Sequence, residues 1–129
     1  MSERLEHLIE EVDRAHSTAD SVGTLARAAR EALTRRIRGR AFLMDCVERI
    51  VDSVAAADNA ASAFTRGGGL LLHRDERLCY QFTIFFWAPG FVTAPHQHNT
   101  WGVTGVLHNQ SSVVLYRRLD DGPDRKSVV

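Results

Sequence analysis

Apolar residues in the first half of the chain recur at three- and four-residue spacing, whereas in the second half they alternate or run together. Leu5, Leu8, Ile9 and Val12 fall on one side of a 3.6-residue period, which predicts a helix over residues 3–15 that Ser2 can cap. Leu25, Ala28, Ala29, Ala32, Leu33 and Ile37 repeat the pattern behind Asp20 or Ser21. Either residue can start a second helix, and Gly39 ends or interrupts it. A third helical segment carries Phe42, Leu43, Cys46, Val47, Ile50, Val51 and Val54. Residues 1–64 therefore read as a helical N-terminal layer.

The pattern changes at Thr65-Arg66-Gly67-Gly68-Gly69, where three glycines break any helix and β-branched and aromatic residues take over. Strands are expected at 70–73, 78–87, 96–98, 101–107 and 113–119, with turns at 75–76, 88–90 and 108–111. Asn109 tolerates the left-handed conformation that a tight turn needs. Hairpin-linked strands predict an antiparallel sheet over residues 65–129, so the expected fold class is α+β in one domain.

Composition narrows the partners more than it changes the fold. A chain of 129 residues with 44% hydrophobic and 25% charged residues has ordinary globular values, which exclude a disordered chain or a coiled coil. Sixteen basic residues balance sixteen acidic ones, so no net field draws the chain toward nucleic acid or an anionic membrane. The arginines at 27, 30, 35, 36, 38 and 40 are matched by Glu3, Glu6, Glu10, Glu11 and Asp13, and read as a solvated or internally paired face. Cys46 and Cys79 lack any motif spacing, so no disulfide framework is expected. With no apolar leader and no run of membrane length, the expectation is a cytoplasmic protein with small-molecule partners, for which a homo-oligomer is compatible.

The histidines carry the candidate chemistry. On a strand, side chains at i and i+2 leave the same face with Cα atoms about 7 Å apart, so His96 and His98 can converge on one ion while Gln97 points away. Imidazole is a common ligand of transition metals, although paired histidines on a strand also pack or face water. Pro89-Gly90 makes a tight turn before the pair, Pro95 restricts the entry to it, and Trp101 follows. Trp101 and Phe91 read as core aromatics or as the lining of a pocket, and His7, His16, His73 and His108 as surface or structural residues.

The runs Phe86-Trp87-Ala88-Pro89-Gly90, Pro95-His96-Gln97-His98, Thr100-Trp101-Gly102-Val103, Gly105-Val106-Leu107 and Tyr116-Arg117-Arg118-Leu119-Asp120-Asp121-Gly122 resemble the first cupin motif of bacterial cysteine dioxygenase-like proteins. The resemblance covers roughly residues 66 to 122. It implies a jelly-roll β-barrel in which three histidines hold ferrous iron. It also implies the oxidation by dioxygen of a small thiol, such as cysteine or 3-mercaptopropionate, to a sulfinic acid. His96 and His98 match two of the three ligands, and Zn2+ is another ion that imidazoles accept. The family's third histidine belongs to a second motif further along, so the chain is expected to form an incomplete antiparallel cupin barrel. Such a barrel would leave Phe82, Ile84 and Phe86 without a covering layer. The alternative reading is a truncated, non-catalytic cupin fragment or a small-molecule-binding cupin.

Several positions depart from the family. Gln97 stands where aspartate or glycine is usual, and His108-Asn109 where a Glu-Gly pair is usual. Gly102-Val103-Thr104 offers no thiol for the cysteine–tyrosine cross-link of the mammalian-type enzymes. The substrate-carboxylate arginine falls at Gly69 and Leu70, leaving Arg66 and Arg74 as the nearest guanidiniums.

Overall fold

A computed structural model describes residues 4–56, 64–65, 69–117 and 119. Helix α1 spans Leu5–Thr18, α2 Val22–Arg36 and α3 Arg40–Ala56. In α1 the expected stripe is the buried one, with Leu5, Leu8, Val12 and Ala15 facing the core. The cap differs from expectation. Ser2 lies outside the described residues, and Arg4, at the N-cap position, makes no side-chain cap. Asp45 of α3 takes over: its Oδ2 accepts the Leu5 N–H at 2.8 Å, placing a carboxylate at the positive end of α1. Burial pushes the Asp45 carboxyl up, but the Leu5 N–H and the guanidiniums of Arg49 and Arg4 outweigh it and hold the group below its ordinary range.

Helix α2 starts as read, because Ser21 Oγ accepts the Thr24 N–H at 3.1 Å while the Thr24 hydroxyl donates to Asp20 Oδ1 at 2.9 Å. It ends at a turn closed by the Gly39 N–H on the Arg36 carbonyl, 2.8 Å away. Part of the arginine-rich face is internally paired. Arg35 donates to both oxygens of Glu11 at 3.0 Å, and the buried Arg36 donates to Glu11 Oε2 and to the Ala32 carbonyl. These guanidiniums, the Arg36 hydrogen bond foremost, hold the Glu11 carboxyl below its ordinary range.

Strands β1 (Phe64–Thr65), β2 (Gly69–Asp75) and β3 (Tyr80–Phe85) form an antiparallel sheet in the order β1-β2-β3. Leu70 pairs with Ile84 and Leu71 with Thr83, but the next pair is His73 with Phe82, so Leu72 is the extra residue of a bulge. Simple alternation would put His73 on the face of Leu71. The bulge instead sets it opposite Phe82, on the face that meets the helices. Cys79, expected in a strand, belongs to the turn between β2 and β3 and has φ 58°, a left-handed value. Asp75 shapes that turn by accepting the Leu78 N–H at 2.8 Å.

The core joins the helices to the sheet through Leu5, Leu8, Val12, Ala29, Ala32, Phe42, Cys46 and Tyr80. Burial, and then the neighbouring Asp45, push the Cys46 thiol up to about 11, as suits an inert packing residue. Phe82 and Ile84, expected to lack cover, pack against this core, whereas Phe86 is exposed.

The expected strands at 96–98 and 101–107, and the described part of 113–119, are not strands. Aromatic and β-branched residues favour extended backbone, but a strand also needs a neighbour for its N–H and C=O groups. Among the described residues, nothing pairs with the outer edge of β3. The fold class is α+β, with three helices followed by a three-stranded sheet. Residues 103–106 instead lie along α2, where a Cβ on Gly105 would collide with Ile37 Cδ1. No helix among the described residues is long and apolar enough to cross a membrane.

Candidate metal site

The approach to the histidine pair is fixed by local chemistry. Residues 88–91 form a turn closed by the Phe91 N–H on the Ala88 carbonyl at 3.0 Å, with Pro89 at its second position and Gly90 at φ 81°. Positive φ at the third position is the type II requirement that glycine meets without steric cost. Further on, Pro95 biases Ala94 toward extended backbone.

His96 and His98 therefore project to one side without any ladder to hold them, their ring centroids 4.9 Å apart and their planes at 77°. Zn–N bonds of about 2.0–2.1 Å put each ring centre roughly 3.2 Å from a bound ion, so two imidazoles sharing it at 90–109° have centroids about 4.5–5.2 Å apart. The observed separation falls within that interval. His96 Nδ1 lies 2.8 Å from the Ala94 carbonyl oxygen. A carbonyl can only accept, so Nδ1 carries the proton and the Nε2 lone pair is left free to coordinate. His98 is exposed and His96 half-buried, which leaves both rings reachable from solvent.

The donor chemistry suits iron or zinc, but the number of donors does not make a three-histidine set. Among the described residues, no group of three or more His, Cys, Asp or Glu side chains is placed to hold an ion.

The other residues singled out from sequence are dispersed. Trp101 is half-buried on the core beside His16, with ring centroids 6.2 Å apart. Phe91 is on the surface and stacks on Trp87 at 6.2 Å, and Trp87 stacks on Phe85 at 5.8 Å. Arg74 is on the outer face of the sheet, donating to Gln81 Oε1 at 3.2 Å, and Arg66 lies outside the described residues. Asn109 does adopt a left-handed φ of 65°, although no hairpin surrounds it.

A second polar cluster was not legible from sequence. The Tyr80 hydroxyl donates to Asp13 Oδ1 at 2.5 Å, His16 stacks on the Tyr80 ring at 5.0 Å, and His73 is tilted against it at 5.7 Å. Burial, and then the Asp13 carboxylate, push the phenol well above its ordinary range, so it stays a donor. This cluster pins α1 to the sheet. Only the bulge at Leu72 brings His73 to it, and nothing local in the sequence announces that bulge.

No protein-family model matches this chain, and no solved structure is significantly similar to it.

Proposed function

We propose that the chain is a cupin-like protein of the thiol-dioxygenase type, in which His96 and His98 supply two imidazole ligands to a divalent ion, ferrous iron first and zinc second. The single observation that carries the reading is the side-by-side pair: rings 4.9 Å apart, with His96 Nδ1 engaged by a carbonyl so that Nε2 is free. The resemblance of residues 66 to 122 to the first cupin motif supplies the reaction class, and the incomplete cupin barrel it implies would have the three-stranded sheet as its formed part. The proposed substrates are a small thiol, such as cysteine or 3-mercaptopropionate, and dioxygen, and a reducing cytoplasm suits both the thiol and the ion.

When bound, ferrous iron supplies the coordination positions at which a thiolate and dioxygen can be neighbours. The chain's own contribution is narrower. The Ala94 carbonyl orients the His96 ring, Pro95 limits the approach, and the i, i+2 spacing puts the second imidazole beside the first. With two imidazoles among the described residues the facial geometry is not enforced, which favours a second reading: metal binding without turnover.

Anaerobic equilibrium dialysis separates these readings from a chance pairing. His96→Ala and His98→Ala are each expected to abolish ferrous and zinc binding, while His108→Ala changes it little. Equal loss on changing His108 would remove the assignment. The iron-loaded 129 residues alone are expected to make no sulfinate from cysteine or 3-mercaptopropionate above the metal-only background. His96-dependent sulfinate would contradict the non-catalytic reading.

A further inference from the structure

Two features of the histidine segment have no role in holding an ion within one chain. The first is coordinative. A structural zinc site takes four nitrogen or sulfur ligands in a tetrahedron, and this segment offers two, on a side open to solvent. The second concerns the segment that contains the pair. From Leu78 through Tyr116 the sequence contains no Asp, Glu, Lys or Arg, although the chain as a whole carries 25% charged residues. Within that stretch Phe85, Trp87 and Phe91 are each about half exposed and stacked in a row, and Val92 is 85% exposed. A surface depleted of charge and rich in exposed aromatics has the composition of an interface centre rather than of a solvated face.

We infer that a second copy of this chain completes the site: one divalent ion is held by His96 and His98 of two chains related by a twofold axis, and the charge-free, aromatic-rich segments that carry the two pairs meet in the same contact. The inference rests on the metal reading of the same pair in its form without turnover, because four imidazoles around one ion leave no position for a thiolate or dioxygen. A second copy fits this surface for specific reasons. A twofold contact brings the same patch to itself, so two His-X-His pairs supply the four donors of a tetrahedral ion. A segment without Asp, Glu, Lys or Arg that meets its own copy brings no like charges of its own together. The 4.9 Å separation corresponds to an angle at the ion of about 100°, close to tetrahedral, on the 3.2 Å metal-to-ring distance used above. The Nδ1 hydrogen bond of His96 to the Ala94 carbonyl leaves Nε2 as the nitrogen available to the ion.

The test is sedimentation velocity with metal analysis on the full 129-residue chain, with zinc added at one ion per two chains or with EDTA. The expected result is a dimer holding one zinc per two chains that reverts to monomer in EDTA. His96→Ala and His98→Ala should each stay monomeric with zinc, and His108→Gln should still dimerise. Both pair residues lie in an exposed segment away from the core, and an unchanged helical circular dichroism spectrum confirms that the variants fold. One zinc on a monomer, lost in both variants, would overturn the shared site and leave the metal reading intact. No zinc binding at all would overturn both. A dimer or larger species that persists in EDTA and in the His96 and His98 variants would show association that does not run through the ion, and would also overturn the inference.

Discussion

Leu8 and Leu115 are the same residue in opposite situations: the first is 1% exposed in the core, and the second is 80% exposed. The contrast holds for the segments that contain them. From Leu5 to Phe85 the elements find partners, helix against helix and strand against strand, and the buried polar groups Asp45 and Arg36 are hydrogen-bonded. From residue 86 to 117 no regular element forms, and Phe86, Trp87, Val92, Val113, Val114 and Tyr116 remain open to solvent. Apolar side chains alone do not build structure. They need a second layer at the right distance: the first segment makes its own, while the second lays Trp101, Val103 and Leu107 on that core and leaves its other large apolar side chains open.

The largest expected effect lies in the first segment. Leu8→Ala should lower the unfolding free energy by about 2–5 kcal/mol, read from the urea midpoint, because it opens a cavity in a close-packed region. A loss below about 1 kcal/mol would mean that the helical core is looser than described.

An intermediate effect is expected where one helix caps another. Asp45→Ala removes the acceptor of the Leu5 N–H and should cost about 1–2 kcal/mol at neutral pH. The same carboxylate carries a pH signature. Asp45 and Glu11 are both held below their ordinary values of 3.8 and 4.5, so their stabilisation is complete above those values and is lost as pH falls through the lower folded values. Stability should decline on acidification below roughly pH 4.5 and decline less steeply in Asp45→Ala. Parallel curves for the two proteins would contradict the interhelical cap.

The smallest effect belongs to the second segment. Leu115→Ala should change stability by no more than about 0.5 kcal/mol, since an exposed leucine gives up little on truncation. A loss approaching that of Leu8→Ala would erase the distinction between the two segments.

What was legible in the sequence follows the range of the interactions. The helical stripe of α1, the Ser21 cap, the stop at Gly39, the glycine turn at 90 and the left-handed Asn109 are set by neighbours within four residues, and each stands where the spacing put it. The Asp45 cap, the Leu72 bulge and the Tyr80–Asp13 hydrogen bond join residues far apart in the chain, and no local pattern encodes them. The strands expected at 101–107 and over the described part of 113–119 failed for a related reason: composition reports extended preference, but not whether a segment docks on the open edge of β3. At the candidate site, His96 and His98 lie side by side as their i, i+2 spacing put them, although no strand holds them. Which nitrogen of His96 is free came only from the Ala94 carbonyl.

The most direct measurement of the metal claim is imidazole 15N NMR of the chain before and after one equivalent of zinc. Without metal, His96 should carry its proton on Nδ1 and be bare at Nε2. On addition of zinc the Nε2 signal of His96 and one ring nitrogen of His98 should shift together, leaving His7, His16, His73 and His108 where they were. Zinc-induced shifts at His16, His73 or His108 with His96 and His98 unmoved would contradict it, and so would no shift at any histidine.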